Sequence, residues 1–129
     1  MNIVFTGHRD KRAEISIFKE IAEKYPRSTW FHGGAIGFDS QVEEEAKKRN
    51  IPTRVFIPNY DLYRRNAPLV RNIEMLNYAD LVVALYDGRV SGGTFFVISR
   101  AKARRIPILF APFAIAHDYS PWGIFAPSS

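Results

Sequence analysis

The residues from Asp80 to Tyr86 form a short, nearly unbroken apolar run, and this run constrains the fold more than any other feature of the chain. A strand that is buried on both faces of a parallel sheet has this pattern, because helices cover it above and below. A glycine-rich turn follows directly, and residues 94–105 then predict a helix with a basic last turn. Strand, turn and helix in this order are the unit from which parallel α/β sheets are built.

The same unit repeats along the rest of the chain. Strands are predicted at residues 2–6, 28–32, 53–57 and 107–111, and helices at 15–25, 40–49 and 62–77. Asn50 is a predicted stop signal for the second helix, whereas Pro68 obscures where the third one begins. We expect an α/β open parallel sheet of about five strands in the order 3-2-1-4-5, with helices on both faces. The prediction is one domain over residues 1–129, in which residues 112–129 form an apolar, proline-containing tail.

Composition limits the chemistry, the cellular location and the ligands that we expect for the protein. The sequence has no cysteine, so it offers neither disulfides nor thiolate chemistry. No apolar run approaches the length of about 20 residues that a membrane span needs, and the first residues lack the regions of a signal peptide. We therefore expect a cytoplasmic protein without a membrane partner. The net charge of +5 suits an anionic ligand, whether nucleotide or nucleic acid, but such a charge is also common in proteins that bind neither.

Three glycine-containing turns are expected to meet at one edge of the sheet. Gly7-His8-Arg9 follows the first strand, Gly33-Gly34 follows the second, and Gly88 to Thr94 follows the fourth. An open parallel sheet binds its ligand beyond the carboxyl ends of the strands, where the strand order reverses. Unpaired main-chain amides in such turns can hold a phosphate. The sequence thus predicts a phosphate site here, and the alternative is a set of ordinary turns whose glycines serve geometry alone.

Three segments resemble the motifs of the SLOG superfamily: Gly33-Gly-Ala-x-Gly-x-Asp39, Arg71-Asn-x-x-Met75 and Asp87-Gly-x-x-Ser-Gly-Gly-Thr94. That superfamily includes the LONELY GUY phosphoribohydrolases and the DNA-processing protein DprA (Smf). The opening Thr6-Gly-His-Arg9 is similar to the stand-alone YpsA-like and YspA-like branch, and the likeness extends over roughly residues 2–110. It implies a Rossmann-like fold that binds a nucleotide or nucleotide-derived ligand, with no resident cofactor firmly implied. The predicted ligand- or phosphate-binding residues are Thr6, Gly7, His8, Arg9, Gly33, Gly34, Asp39, Arg71, Asn72, Asp87, Gly88, Ser91, Gly92, Gly93 and Thr94.

The resemblance to the LONELY GUY enzymes is uneven at the residues that would carry catalysis. Arg71 matches the arginine of their Arg-Lys-x-x-Met motif, but Asn72 stands in place of the lysine. The glutamate expected shortly after Thr94 is missing, and this disfavours a phosphoribohydrolase of that type. Asp39 and Asp87 are the candidate catalytic carboxylates for cleaving an N-glycosidic bond. Asp39 could instead cap amides at a helix start, and Asp87 could hold its turn or accept a ribose hydroxyl.

Three functions therefore stay open. The first is a domain that senses, carries or sequesters a nucleotide derivative, and the second is a hydrolase of nucleotide N-glycosidic bonds. The third is DprA-like binding of single-stranded DNA, which the positive charge allows. No short His or Cys spacing predicts a metal site. The apolar tail is expected to cover the sheet edge or to support a homodimer or a higher homo-oligomer.

Overall fold

The structure, a computed structural model, describes residues 1–114. The predicted role of the C-terminal tail in dimerisation falls largely on residues 115–129 and so lies outside the described part of the chain. Within residues 1–114 no helix has the length and apolar character of a membrane span.

Five parallel strands form one sheet in the order β3-β2-β1-β4-β5, which confirms the predicted topology. The strands are β1 (Asn2–Gly7), β2 (Thr29–His32), β3 (Thr53–Val55), β4 (Leu81–Leu85) and β5 (Ile108–Phe110). The apolar run from Asp80 to Tyr86 contains β4, and all five residues of the strand are buried. It pairs with β1 from Ile3↔Leu81 to Gly7↔Leu85, so the strand order reverses between these two neighbours.

Helices follow the strands in sequence. They are α1 (Ser16–Lys24), α2 (Phe38–Lys48), α3 (Tyr60–Tyr63), α4 (Ala67–Leu76) and α5 (Gly93–Ala103), with a 3-10 turn at Arg64–Asn66. The helix α2 ends as predicted, because Asn50 adopts the left-handed conformation with φ 56° just beyond it.

The hydrophobic core has one cluster on each face of the sheet, since successive strand residues point in opposite directions. Ile3 and Phe5 of β1 join the cluster that α1 and α2 cover, where Phe18 and Trp30 also pack. Val4 joins the other cluster, which α4 and α5 cover. Helices on both faces explain why the central strands read as continuous apolar runs rather than alternating ones.

The region after β3 differs from the prediction. The expected helix over residues 62–77 is instead divided into α3, the 3-10 turn and α4. Arg64 ends α3 with φ 55°, a left-handed conformation that no helix can continue through. Pro68 lies in the first turn of α4, where its missing N–H costs nothing. The expected strand over residues 53–57 stops at Val55: the amide of Phe56 still donates to the carbonyl of His32 in β2, but its own carbonyl accepts from Arg71.

Candidate functional site

A cavity of about 370 Å³ lies at the carboxyl ends of β1, β2 and β4, where the three predicted turns meet. We call it the first cavity. Of the residues predicted to bind a ligand, those that line it are Thr6, Gly7, His8, Arg9, Gly33, Asp39, Arg71, Asn72, Ser91, Gly92, Gly93 and Thr94. The sheet topology brings these residues together, because parallel strands end at the same edge.

Three residues of the predicted set do not line the first cavity: Gly34, Asp87 and Gly88. Gly34 lies on the other side of its turn, beside His32 and Glu43. Asp87 is exposed, and its carboxylate contacts a neighbouring arginine instead. Glu74, on the helix that carries Arg71, is exposed and also lies outside the cavity lining.

Arg71 connects two strands of the sheet through their following turns. Its Nη1 donates to the carbonyl oxygens of Gly33 at 2.7 Å and of Phe56 at 3.1 Å. Its Nε donates to Oδ1 of Asn72 at 2.8 Å, whereas Nη2 has no hydrogen bond to any of residues 1–114. Burial lowers the pKa of Arg71 from its ordinary value, and the nearby Asp39 charge opposes that shift. The guanidinium thus fixes the turn and keeps one donor nitrogen for the cavity that it lines.

Gly33 is a glycine because of this arginine. A Cβ at that position would come within 2.7 Å of Cζ of Arg71 and closer still to Nη1. The glycine therefore permits close approach by a side chain of the protein itself.

Asp39 is a buried carboxylate at the start of α2, with 8% of its surface exposed. One of its oxygens, Oδ2, accepts the amide N–H groups of Gly33 and Ala35, each at 3.2 Å. These amides belong to the loop before the helix, so the expected capping of the helix itself is not what the carboxylate does. Its other oxygen, Oδ1, has no hydrogen bond within residues 1–114. Burial raises the pKa of Asp39, and the hydrogen bonds from the two amides and the charge of Arg71 oppose that shift.

Three more buried polar side chains line the first cavity with unpaired atoms. Thr6, Asn72 and Thr94 are 8%, 6% and 5% exposed. Neither threonine hydroxyl, nor Nδ2 of Asn72, makes a hydrogen bond within the described part of the chain. Buried polar groups in folded proteins are nearly always paired, so such a concentration of unpaired atoms in one cavity needs an explanation.

The amino terminus of α5 faces the same space. Its N-cap residue, Gly92, has φ 91° and supplies no side-chain cap, so the first amides of the helix lack partners from a capping side chain. A side chain is disfavoured at this φ, and nothing lies within 4 Å of where its Cβ would be. The uncapped first turn is accessible from the cavity and carries the positive end of the helix dipole.

His8, Asp87 and Arg89 form a polar group at the cavity mouth. The amide of Asp87 donates to Nε2 of His8 at 3.1 Å, which requires the neutral ring with its proton on Nδ1. An oxygen of the Asp87 carboxylate is also 3.1 Å from Nε2, a contact that would be an ion pair only with a protonated ring. We assign the neutral ring, because burial lowers the pKa of His8 more than Asp87 raises it. Hydrogen bonds from Arg89 hold the pKa of Asp87 well below its ordinary value.

His32 belongs to the neighbouring turn and is fully paired. Its Nδ1 accepts the amide of Gly34 at 3.0 Å, and its Nε2 lies 2.7 Å from Oε1 of Glu43. This pairing fits a neutral ring that donates to the carboxylate. Both ring nitrogens of His32 therefore serve to hold this turn against α2. Among residues 1–114, no three His, Cys, Asp or Glu side chains come together as a metal-ligand set.

Sequence reasoning missed five residues that line the first cavity: Phe5, Asp10, Ala35, Met75 and Arg89. Arg89 is the most informative of these, because its Nη2 also lies 3.8 Å from Oδ1 of Asp10 and so links two turns. The spacing of Asp87 and Arg89 within one tight turn was a usable signal for their ion pair. Asp10 directly follows the predicted turn Gly7-His8-Arg9, but no pattern in the sequence indicated its contact with Arg89.

The sheet order and its helical layers define an α/β protein with a Rossmann-like open sheet. The crystal structure of a structural-genomics target, TM1055, has the same fold, with a TM-score of 0.63 at 20% sequence identity. The alignment covers 83% of this chain and 71% of that chain. No sequence-family model matches the chain, and no curated protein matches it.

Proposed function

We propose that the first cavity binds the anionic part of a nucleotide or nucleotide-derived ligand, and that the protein senses, carries or sequesters that ligand. One observation carries the proposal: four buried polar side chains with unpaired atoms line a single cavity beside an uncapped helix terminus. Bound phosphate oxygens would accept hydrogen bonds from Asn72, from the two threonine hydroxyls and from the first amides of α5.

The charges around the cavity also favour an anion. Arg9, Arg71 and Arg89 line it, against Asp10 and Asp39. Arg89 is already paired with Asp87 and Asp10, whereas Arg9 is exposed and has no ion pair within residues 1–114. The resemblance to SLOG motifs at Gly33–Asp39, Arg71–Met75 and Asp87–Thr94 supports a nucleotide as the class of ligand.

The test is isothermal titration of the protein with inorganic phosphate, ribose 5-phosphate and AMP, using Thr94→Val as the variant. Valine keeps the shape of threonine but removes a hydroxyl that pairs with nothing in residues 1–114, so the fold should be unaffected. A hydrogen bond to a charged group contributes about 1.5 kcal/mol or more, and we expect at least about tenfold weaker binding.

The matched control is Thr53→Val. The hydroxyl of Thr53 donates to Oε2 of Glu43 at 3.3 Å, and neither residue lines the first cavity. It should bind like the unmodified protein. Absence of binding by all three compounds at millimolar concentration, or unchanged affinity in Thr94→Val, would refute the proposal.

A second candidate, hydrolysis of a nucleotide N-glycosidic bond, is favoured by the state of Asp39. The carboxyl of Asp39 is buried, lines the first cavity and leaves Oδ1 without a hydrogen bond in residues 1–114, and burial raises its pKa, which is the direction that a general acid needs. Release of free base from nucleoside monophosphates and NAD, followed by chromatography, tests this directly. Asp39→Asn should abolish release while leaving binding measurable. If the unmodified protein releases no base, the binding function alone stands.

A further inference from the structure

A second cavity of about 580 Å³ adjoins the first one, between α4 and the amino-terminal part of α5. Its walls differ in chemistry from those of the first cavity. Pro68 and Leu69 form the side contributed by α4, and Val90, Phe95 and Phe96 form the side contributed by the glycine-rich turn and α5. The second cavity is therefore an apolar groove, whereas the first one is lined by arginines, aspartates and hydroxyls.

Three of the apolar side chains of the second cavity are not explained by the core, whereas Phe96 packs against the core cluster that α4 and α5 cover. Leu69 is 40% exposed and Val90 is 79% exposed. Phe95 is half-buried, yet within the described residues it belongs to neither core cluster. Several apolar side chains left open around one concave surface are typical of a binding site for an apolar group.

The two cavities are continuous along one wall. Arg71, Asn72, Ser91, Gly92 and Gly93 line both of them. The wall is low at its centre, because Gly92 and Gly93 have no side chains, and nothing lies within 4 Å of where a Cβ at Gly92 would be. A ligand whose anionic group is held at the amino terminus of α5 can therefore extend into the apolar groove while it stays in contact with the protein.

The rim of the second cavity is polar. Arg65 and Ser99 lie there, and both are exposed. The combination of aromatic and aliphatic walls with a few polar groups at the edge matches a planar heterocycle, which has apolar faces and hydrogen-bonding edges. Tyr60 lines neither cavity, so its ring is not placed to stack on a base bound in either one.

We propose that the second cavity is the subsite for a nucleobase that is covalently attached to the anionic group bound in the first cavity. This inference rests on the proposed function and extends it, because it assigns the ligand a planar apolar part and a place for that part. The ligand class is thus a nucleoside phosphate rather than a simple sugar phosphate or a free inorganic anion.

The experiment compares the affinity of ribose 5-phosphate with that of AMP, GMP, CMP and UMP by isothermal titration. We expect at least one nucleoside monophosphate to bind about tenfold or more tightly than ribose 5-phosphate. The double variant Leu69→Asn/Val90→Asn makes the second cavity polar without changing charge. It should remove most of that gain while leaving ribose 5-phosphate binding within about twofold of the unmodified protein.

The matched control is Val55→Asn/Leu109→Asn, which changes apolar residues that are 42% and 37% exposed on the two edge strands. The control should keep the full gain. If ribose 5-phosphate binds but no base adds affinity, or if Leu69→Asn/Val90→Asn keeps the gain, the nucleobase subsite is refuted and the anion site stands. If neither ribose 5-phosphate nor any monophosphate binds, the proposed function itself fails, and the subsite fails with it.

Discussion

Replacing Gly33 with alanine should destabilise the protein by displacing Arg71. The added methyl would lie within 2.7 Å of Cζ of Arg71 and closer still to Nη1, which is far inside van der Waals contact. The guanidinium is the flexible end of a long side chain, so its movement relieves the clash at the smallest cost. That movement breaks the hydrogen bonds from Nη1 to the carbonyls of Gly33 and Phe56, at 2.7 and 3.1 Å.

The magnitude follows from these two bonds. A hydrogen bond from a charged donor contributes about 1.5–3 kcal/mol when it is well buried. Arg71 is partly exposed, and water replaces part of each lost bond, so we expect a combined loss of about 2–3 kcal/mol. Alanine also restricts the unfolded chain, which offsets about 0.4–1 kcal/mol because the φ of Gly33 is outside the left-handed region. The net loss is about 1–2.6 kcal/mol, or roughly 4–10 °C in Tm for a chain of this size.

Gly93→Ala is the matched comparison. A Cβ there would lie 3.6 Å from Nδ2 of Asn72, an ordinary contact, and the residue begins α5, where alanine is the better helix former. We expect it to be neutral or to stabilise the protein by up to about 1 kcal/mol. Urea denaturation of the two variants measures both values. Equal stability of Gly33→Ala and Gly93→Ala would show that Arg71 does not hold the turn as described.

Two predictions concern pH. Asp39→Asn should raise the free energy of unfolding at pH 7, because asparagine still offers an oxygen to the amides of Gly33 and Ala35 and removes a buried charge. Because the pKa of Asp39 is raised in the folded state, the unmodified protein loses stability as pH rises from 3.8 to that raised pKa. The gain in stability from asparagine should therefore grow from pH 4 to pH 7 in thermal melts, and a loss at pH 7 would contradict this prediction. His8→Gln should flatten the dependence of stability on pH below 6.5, since the pKa of His8 is lowered in the folded state and the native protein loses stability as pH falls from 6.5 toward that lower value. Melting curves at pH 5 and pH 7 measure this, and an unchanged difference between them would exclude a neutral buried His8.

Local patterns in the sequence were enough for most of the fold. The apolar run at β4, followed by glycines and a basic helix end, predicts three consecutive elements, because burial on both faces and the helix dipole each leave a compositional signal. The order of the strands followed from the rules of parallel sheets rather than from any single residue. The break at Arg64 was not predictable, since a left-handed arginine carries no sequence signal of its own.

The candidate site was predictable in its location and less so in its contacts. The glycines in the sequence identify the three turns. Glycine is needed at position 33, however, because of the side chain of Arg71, which lies 38 positions away along the chain. The pairing of Arg89 with Asp10, and the half-buried Phe95 at the second cavity, depend on how helices and turns pack. Such contacts between distant segments are set by tertiary structure, which single-residue patterns do not encode.

The two outer strands of the sheet have a consequence for how copies of the protein meet. β3 and β5 contain three residues each. Prolines bracket both of them, with Pro52 and Pro58 around the first and Pro107 and Pro112 around the second. A second copy that added a strand to the sheet would form few main-chain hydrogen bonds at either edge, because the edge strands are short and proline has no N–H to donate. Growth of the sheet into a fibril from one molecule to the next is thereby discouraged at both ends.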